Sequence, residues 1–256
     1  EMNMNKHEMS LDERISALEA RLARREDRDE IENLVAVHQY YMTGNQGERA
    51  FDELYADRPD VTNEIGASGV YFGRKKARTY YEKEHVPGRL FVHTLTTPDI
   101  VISKDRSTAK GLWFTVGVES DAGDLGPNPP TTLEDRELLT SRTADGKDYM
   151  AEWLWGKLEI DFVRENGVWK IWHYHYYELF RCPYQMDWVQ YSRLRQYADG
   201  LRLDMIYTSN IPYAPDEPHE NHADFATTYH WQYRVDALAE LVPAPMLDIA
   251  SKAQSL

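Results

Sequence analysis

Residues 149–164 and 168–180 are two long runs of alternating character, rich in aromatic and aliphatic side chains and joined by Glu165-Asn166-Gly167. An Asn-Gly pair accepts the left-handed backbone of a tight hairpin loop at little cost, so the two runs predict one long antiparallel hairpin. Two further runs, residues 91–103 and 108–119, flank Asp105-Arg106 and predict a second. A sheet built from such strands has one face that must be covered, and the segments preceding it supply the helices to do so. Residues 120–147, rich in Gly, Pro, Asp and Thr, read as a long loop over one end of the sheet. Loops of that length in a compact domain usually carry function or lack order.

Ser10 with Glu13 three residues on has capping-box spacing, and Leu11, Ile15, Leu18 and Leu22 make one apolar stripe on a helical arm over residues 10–27. A second helix over 28–42 places Ile31, Leu34, Val35, His38 and Tyr41 or Met42 on its buried side, and Gly44 and Gly47 break it. A short helix at 47–55, short strands at 61–65 and 69–72, and a helix at 75–84 ended by Pro87-Gly88 complete the entry half. Residues 183–256 show no second hydrophobic core and read as an extension wrapped on the same domain. The expected organisation is one α+β domain over residues 10–182.

With Lys plus Arg at 29 and Asp plus Glu at 43, the formal charge is −14, and no basic patch offsets it, which disfavours nucleic acid and anionic membranes. Cys182 is the only cysteine, which excludes an intramolecular disulfide and a thiolate metal cage. No apolar run has the length of a membrane span, and the expected setting is a reducing one, the cytoplasm. No GxGxxG, P-loop, GxSxG or HExxH is present.

The order helix, helix, short strand pair, helix, four long strands is that of the cone-shaped α+β fold of nuclear-transport-factor-2-like proteins. Asp29-Glu30-Ile31 opening a helix to Tyr40-Tyr41, Gly69-Val70-Tyr71-Phe72-Gly73-Arg74, and above all Phe162-Val163-Arg164-Glu165-Asn166-Gly167-Val168-Trp169-Lys170-Ile171 resemble the segments of SnoaL-like domains. The resemblance covers about residues 11–180 and implies a bent antiparallel sheet packed on N-terminal helices. Its enzymes include polyketide cyclases, scytalone dehydratase, ketosteroid isomerase and lignin-pathway formaldehyde lyases, most of them running acid–base chemistry inside the cone without a cofactor. Other members only bind, and fold alone does not choose among them. For this chain the resemblance implies a cofactor-independent lyase acting on an aromatic, phenolic substrate, by dehydration or by retro-aldol-type loss of formaldehyde. A cyclase or isomerase, or a non-catalytic binding protein, are the alternatives.

Strand alternation then nominates the inward residues. Pairing around Asn166-Gly167 groups Glu152, Leu154, Leu158, Ile160 and Phe162 with Ile171, His173, His175 and Tyr177, and turns Trp172, Tyr174 and Tyr176 away. His173 and His175 serve as pocket imidazoles, as half-buried histidines bonded to neighbours, or as two metal ligands. Metal ranks lowest, because a third ligand must come from His93 or Glu152 far along the chain, and no metal or cofactor is expected. His173, His175, Glu152 and His93 are thus the catalytic candidates. Tyr41, His38, Tyr177, Leu154, Leu158, Ile171 and Trp113 are the expected substrate contacts. The apolar arm and a Trp-rich outer sheet face, with Trp153 and Trp155, predict a homodimer or homotrimer.

Overall fold

The computed structural model describes residues 9–65, 70–82, 90–120 and 140–188. The element order is α1 (Leu11–Thr43), α2 (Gly47–Leu54), β1 (Thr62–Ile65), β2 (Val70–Phe72), α3 (Arg74–Thr79), β3 (Leu90–Ile102), β4 (Thr108–Ser120), β5 (Ser141–Arg142), β6 (Asp148–Tyr149), β7 (Ala151–Glu165) and β8 (Val168–Pro183). Six strands form one sheet in the order β2-β1-β8-β7-β4-β3, antiparallel except for the parallel pair β1/β8. The four long strands, the order of elements and the helices on one face agree with the expected cone. Asn166 and Gly167 take φ of 51° and 83°, and close β7/β8 as a two-residue turn.

Two expectations about the entry and the loop are corrected. The arm and the second helix are one continuous helix of 33 residues, roughly 50 Å long. Its N-terminus carries the capping box: the Glu13 N–H donates to Ser10 Oγ at 3.3 Å, and the Ser10 N–H to Glu13 Oε2 at 2.7 Å. Continuity across the charged stretch at 24–30 follows from what Asp27 does. This carboxylate is fully buried and accepts from Arg106 Nε at 2.5 Å, Arg164 Nη1 at 2.9 Å and Trp169 Nε1 at 3.1 Å. It therefore joins the helix to both hairpin ends of the sheet. In the long loop, β5 and β6 form a small hairpin turning at Gly146, whose φ is 84°. The rest of that loop, the end of the helix expected at 75–84 and the extension after residue 188 lie outside the described residues.

The core lies between α1, α2 and one sheet face: Ile31, Val35, Phe51 and Tyr55 meet Trp113, Leu158, Ile160, Phe162, Trp169 and Ile171. Extra residues bend the sheet around it. Thr97 and Pro98 bulge from β3, Thr97 at φ 51°, and β8 has two register shifts against β7.

Desolvation pushes the Asp27 carboxyl up, but the Arg106 and Trp169 hydrogen bonds and the charges of Arg106 and Arg164 outweigh it, and its pKa is lowered. The group therefore stabilises the fold above its unfolded-state pKa of about 4, and that contribution is lost as pH falls through the lowered folded-state value. Asp27→Asn should cost about 3 kcal/mol at neutral pH, because two guanidinium groups lose their shared partner. Urea melts of the two proteins at pH 7 and pH 3 check this: the gap should narrow in acid, and equal stability at pH 7 would contradict the anchor.

Candidate active site

Facing is decided by the first register shift in β8. Arg164 pairs with Trp169 and Phe162 with Ile171, as expected, but Asp161 then pairs with His173, so Trp172 is an extra residue. One inserted residue inverts the side chains that follow it, here as far as the second shift at Leu179. Tyr174 and Tyr176, not His173, His175 and Tyr177, consequently share the interior with Ile160 and Leu158.

On the face turned away from α1, His173 Nδ1 lies 2.9 Å from Asp161 Oδ2 and its Nε2 lies 3.1 Å from the Asp60 carbonyl. Lys110 pairs with Asp161 at 2.9 Å. His175 Nε2 lies 3.2 Å from Glu64 Oε2, and its ring stacks on Tyr177 with centroids 3.5 Å apart. Lys157 Nζ stands 4.2 Å over the Tyr177 ring. Desolvation lowers the Lys157 pKa to about 8 against the opposing charge of Glu159. Both histidines are thus tied to carboxylates in a charged layer outside the cone, and the two are not brought to the pocket. Among the described residues no cluster of three His, Cys, Asp or Glu could hold a metal ion.

Inside the cone, the odd-numbered residues of β4 from Ala109 to Glu119 face the core, and β4 pairs with β7 so that Trp113 meets Leu158, Thr115 meets Gly156, Gly117 meets Leu154 and Glu119 meets Glu152. The interior is apolar toward Ala109 and Phe162 and polar toward Glu119 and Glu152. Of the expected contacts, Trp113, Leu154, Leu158 and Ile171 line the apolar part and are buried. Glu152 is buried at the polar end.

His93 enters that end from β3. Its Nε2 lies 2.8 Å from Glu119 Oε1, and the side chains are 9% and 3% exposed. The ring packs against Phe91, with centroids 4.2 Å apart, and lies nearly parallel to Tyr176 at 6.0 Å and 16°. Glycine makes this arrangement possible: a Cβ on Gly117 would stand 2.4 Å from His93 Cδ2 and 2.5 Å from the Val92 carbonyl, and one on Gly156 would stand 2.4 Å from the Tyr176 ring. With Glu119 ionised, the pair fixes the tautomer: Nε2 donates to the carboxylate and Nδ1 is left as the acceptor.

A second polar group lies deeper, under α1. The hydroxyls of Tyr55 and Tyr81 are 2.5 Å apart, His38 Nε2 is 3.4 Å from Tyr81 Oη, and the His38 ring is 5.1 Å from that of Tyr174. Burial pushes the His38 pKa down to about 3, so it is neutral at ordinary pH, and burial raises both Tyr55 and Tyr81 well above the usual phenol range. Asn63, fully buried on β1, lies against this group with neither amide atom in hydrogen-bond geometry, and His38 Nδ1 and Thr115 Oγ1 are also buried without a hydrogen bond. Each such atom costs about 1–3 kcal/mol unless something satisfies it. Tyr41, by contrast, sends its hydroxyl outward to Glu53 at 2.8 Å, beneath the Arg49 guanidinium. A depression of about 540 Å³, counting space open to solvent, is lined by Met42, Thr43, Asn45, Gly47, Tyr80, Tyr81 and Phe91, and so touches the tyrosine group at Tyr81 and the ring of Phe91 that packs on His93.

A family model described as SnoaL-like domain matches residues 23–175. No curated protein matches significantly. Among solved structures, a provisionally named scytalone dehydratase from Novosphingobium aromaticivorans is 14% identical with a TM-score of 0.46, over 66% of this chain and 93% of that one. Hexachlorocyclohexane dehydrochlorinase LinA-type3 from Novosphingobium barchaimii is 15% identical with a TM-score of 0.44, over 64% and 92%. A nuclear-transport-factor-2-like protein with a cystatin-like fold from N. aromaticivorans is 16% identical with a TM-score of 0.42, over 65% and 90%.

The glycine contact provides a direct check on the dyad. Gly117→Ala should push the His93 ring off Glu119 and cost about 1–3 kcal/mol through overpacking. Thermal melts should show that loss, and an unchanged Tm would mean that His93 does not occupy this space. Cys182 gives a second check. Burial, with the nearby charges of Glu152 and Asp187, raises its thiol to about 12, so a thiol reagent should label it only after denaturation. Rapid labelling of the native protein would contradict that packing.

Proposed function

The chain belongs to the SnoaL-like domain family, and on that premise we propose that it is a cofactor-independent lyase working by acid–base chemistry on a flat, oxygen-bearing aromatic molecule. The observation that carries this reading is the shielded His93–Glu119 pair, set inside the cone with aromatic rings on either side. His93 Nδ1 takes a proton from substrate carbon or hydroxyl, and Glu119 holds the imidazole and stabilises its charged form. Glu152, across the strand pair from Glu119, is the general acid of this reading: in its protonated form it gives its proton to the departing oxygen, and the proton taken by His93 restores it before the next turnover. At the deeper end, one of the Tyr55 and Tyr81 hydroxyls donates to the other, and the remaining O–H is the donor toward oxygen that gains negative charge, with the Asn63 amide beside the pair. The high pKa of both phenols keeps them protonated as donors throughout the working range. His38, neutral and buried, positions Tyr81 rather than exchanging protons.

Two eliminations fit this set. Loss of water needs a base on carbon and an acid at the leaving hydroxyl. Retro-aldol loss of formaldehyde from a phenolic diol needs a base on a hydroxyl and a donor for the resulting carbanion or quinone-like oxygen.

His93→Ala and Glu119→Gln should each lower turnover by about two to four orders of magnitude, the range of general acid–base catalysis, with the fold retained. His173→Ala and His175→Ala should leave turnover within a few-fold of the parent protein. An assay following dehydrated product and formaldehyde in parallel, with phenolic diols and hydroxylated bicyclic ketones as substrates, separates the two eliminations. Full activity in the His93→Ala protein would end this reading.

A further inference from the structure

The first three turns of α1 lie beyond the body of the domain, and the stripe there is bare: Leu11, Ile15, Leu18 and Leu22 are 69%, 44%, 60% and 59% exposed. The helix attaches to its own sheet by the opposite side. Arg24 donates to the Ser103 and Lys104 carbonyls, Asp27 is buried among its donors, and Ile31 follows one turn on. The stripe repeats at four, three and four residues, which is a heptad seam with Leu11 and Leu18 at d and Ile15 and Leu22 at a. In the same frame the e positions are Asp12, Glu19 and Glu26, all acidic, and the g positions are Arg14, Arg21 and Arg28, all basic.

That charge segregation specifies both partner and direction. In a parallel pair each g residue meets the e residue five places on in the other helix, so Arg14 meets Glu19 and Arg21 meets Glu26, opposite signs at every contact. In an antiparallel pair g meets g and e meets e, which sets like charges together. Ile15 at one a position, with leucine at both d positions, also suits two strands. At positions 25 and 29 the seam turns polar, with Arg25 paired to Asp29 at 3.2 Å, and the seam stops where the domain begins. We propose that the arm is a parallel two-stranded coiled coil formed with a second copy of this chain, with the two cones on opposite outer sides of the helix pair.

The full chain, 29.9 kDa as a protomer, should run as a dimer in light scattering at micromolar concentration. Leu18→Glu, at a position exposed in the protomer, should raise the dissociation constant about a hundredfold or more without changing the circular dichroism of the domain. Arg14→Glu should weaken the dimer, and adding Glu19→Arg should restore it, since the exchanged charges attract again only in the parallel arrangement. Leu11→Cys should form an interchain disulfide on mild oxidation, because position 11 meets itself in a parallel pair and position 22 in an antiparallel one. A monomeric parent protein, a dimer indifferent to Leu18→Glu, or a dimer that fails to cross-link at position 11 would each overturn the proposal.

Discussion

The buried carboxylate of Asp27 is the constraint on which the architecture rests. A charge without water around it must be matched by donors, and Asp27 takes them from three places far apart in the chain: Arg106 at the β3/β4 turn, and Arg164 and Trp169 on either side of the β7/β8 turn. Both long hairpins are thereby pinned at their closed ends to one turn of one helix. Their other ends stay paired, Leu90 with Ser120, Glu119 with Glu152 and Glu152 with Pro183. The rest of α1 follows from this anchor, with Ile31, Val35 and His38 pressed into the cone on one side and the apolar arm left projecting on the other.

The sheet makes room for chemistry by omission. Gly111, Gly117 and Gly156 sit on the inner face where any Cβ would collide with the ring of Trp113, His93 or Tyr176. Each glycine lets an aromatic side chain approach the sheet closely, and at Gly117 this lets His93 reach Glu119. The same strands separate polarity along their length, apolar from Ala109 to Trp113 and carboxylate-bearing at Glu119 and Glu152.

Much of the fold was legible in sequence because its signals are local: the Asn166-Gly167 turn, the alternating runs around it and the Ser10/Glu13 cap each act over a few residues. The candidate site was less so. Glu152, Leu154 and Leu158 point inward as alternation requires, but the same rule carried past Trp172 sends His173 and His175 to the wrong side, because a bulge of one residue leaves no mark in composition. Glu119 was overlooked for a different reason. Its partner strand is β7, reached across a long intervening segment, and no turn announces that pairing. Its parity with Trp113 and Gly117 was the available signal. The charged stretch around Asp27 looked like a break between helices, since a carboxylate there reads as surface until its distant arginines are in place.

The central claim is that the reactive imidazole is His93 within the cone and not the His-x-His pair outside it. Long-range proton–nitrogen NMR of the histidine side chains, assigned by single substitutions and recorded while a simple phenol is added, tests this most directly. The account predicts that the His93 nitrogens shift in a saturable way, with Nδ1 moving most, while His173 and His175 stay where they are. Saturable shifts at His173 and His175 with His93 unmoved would place the site on the other face of the sheet and contradict it.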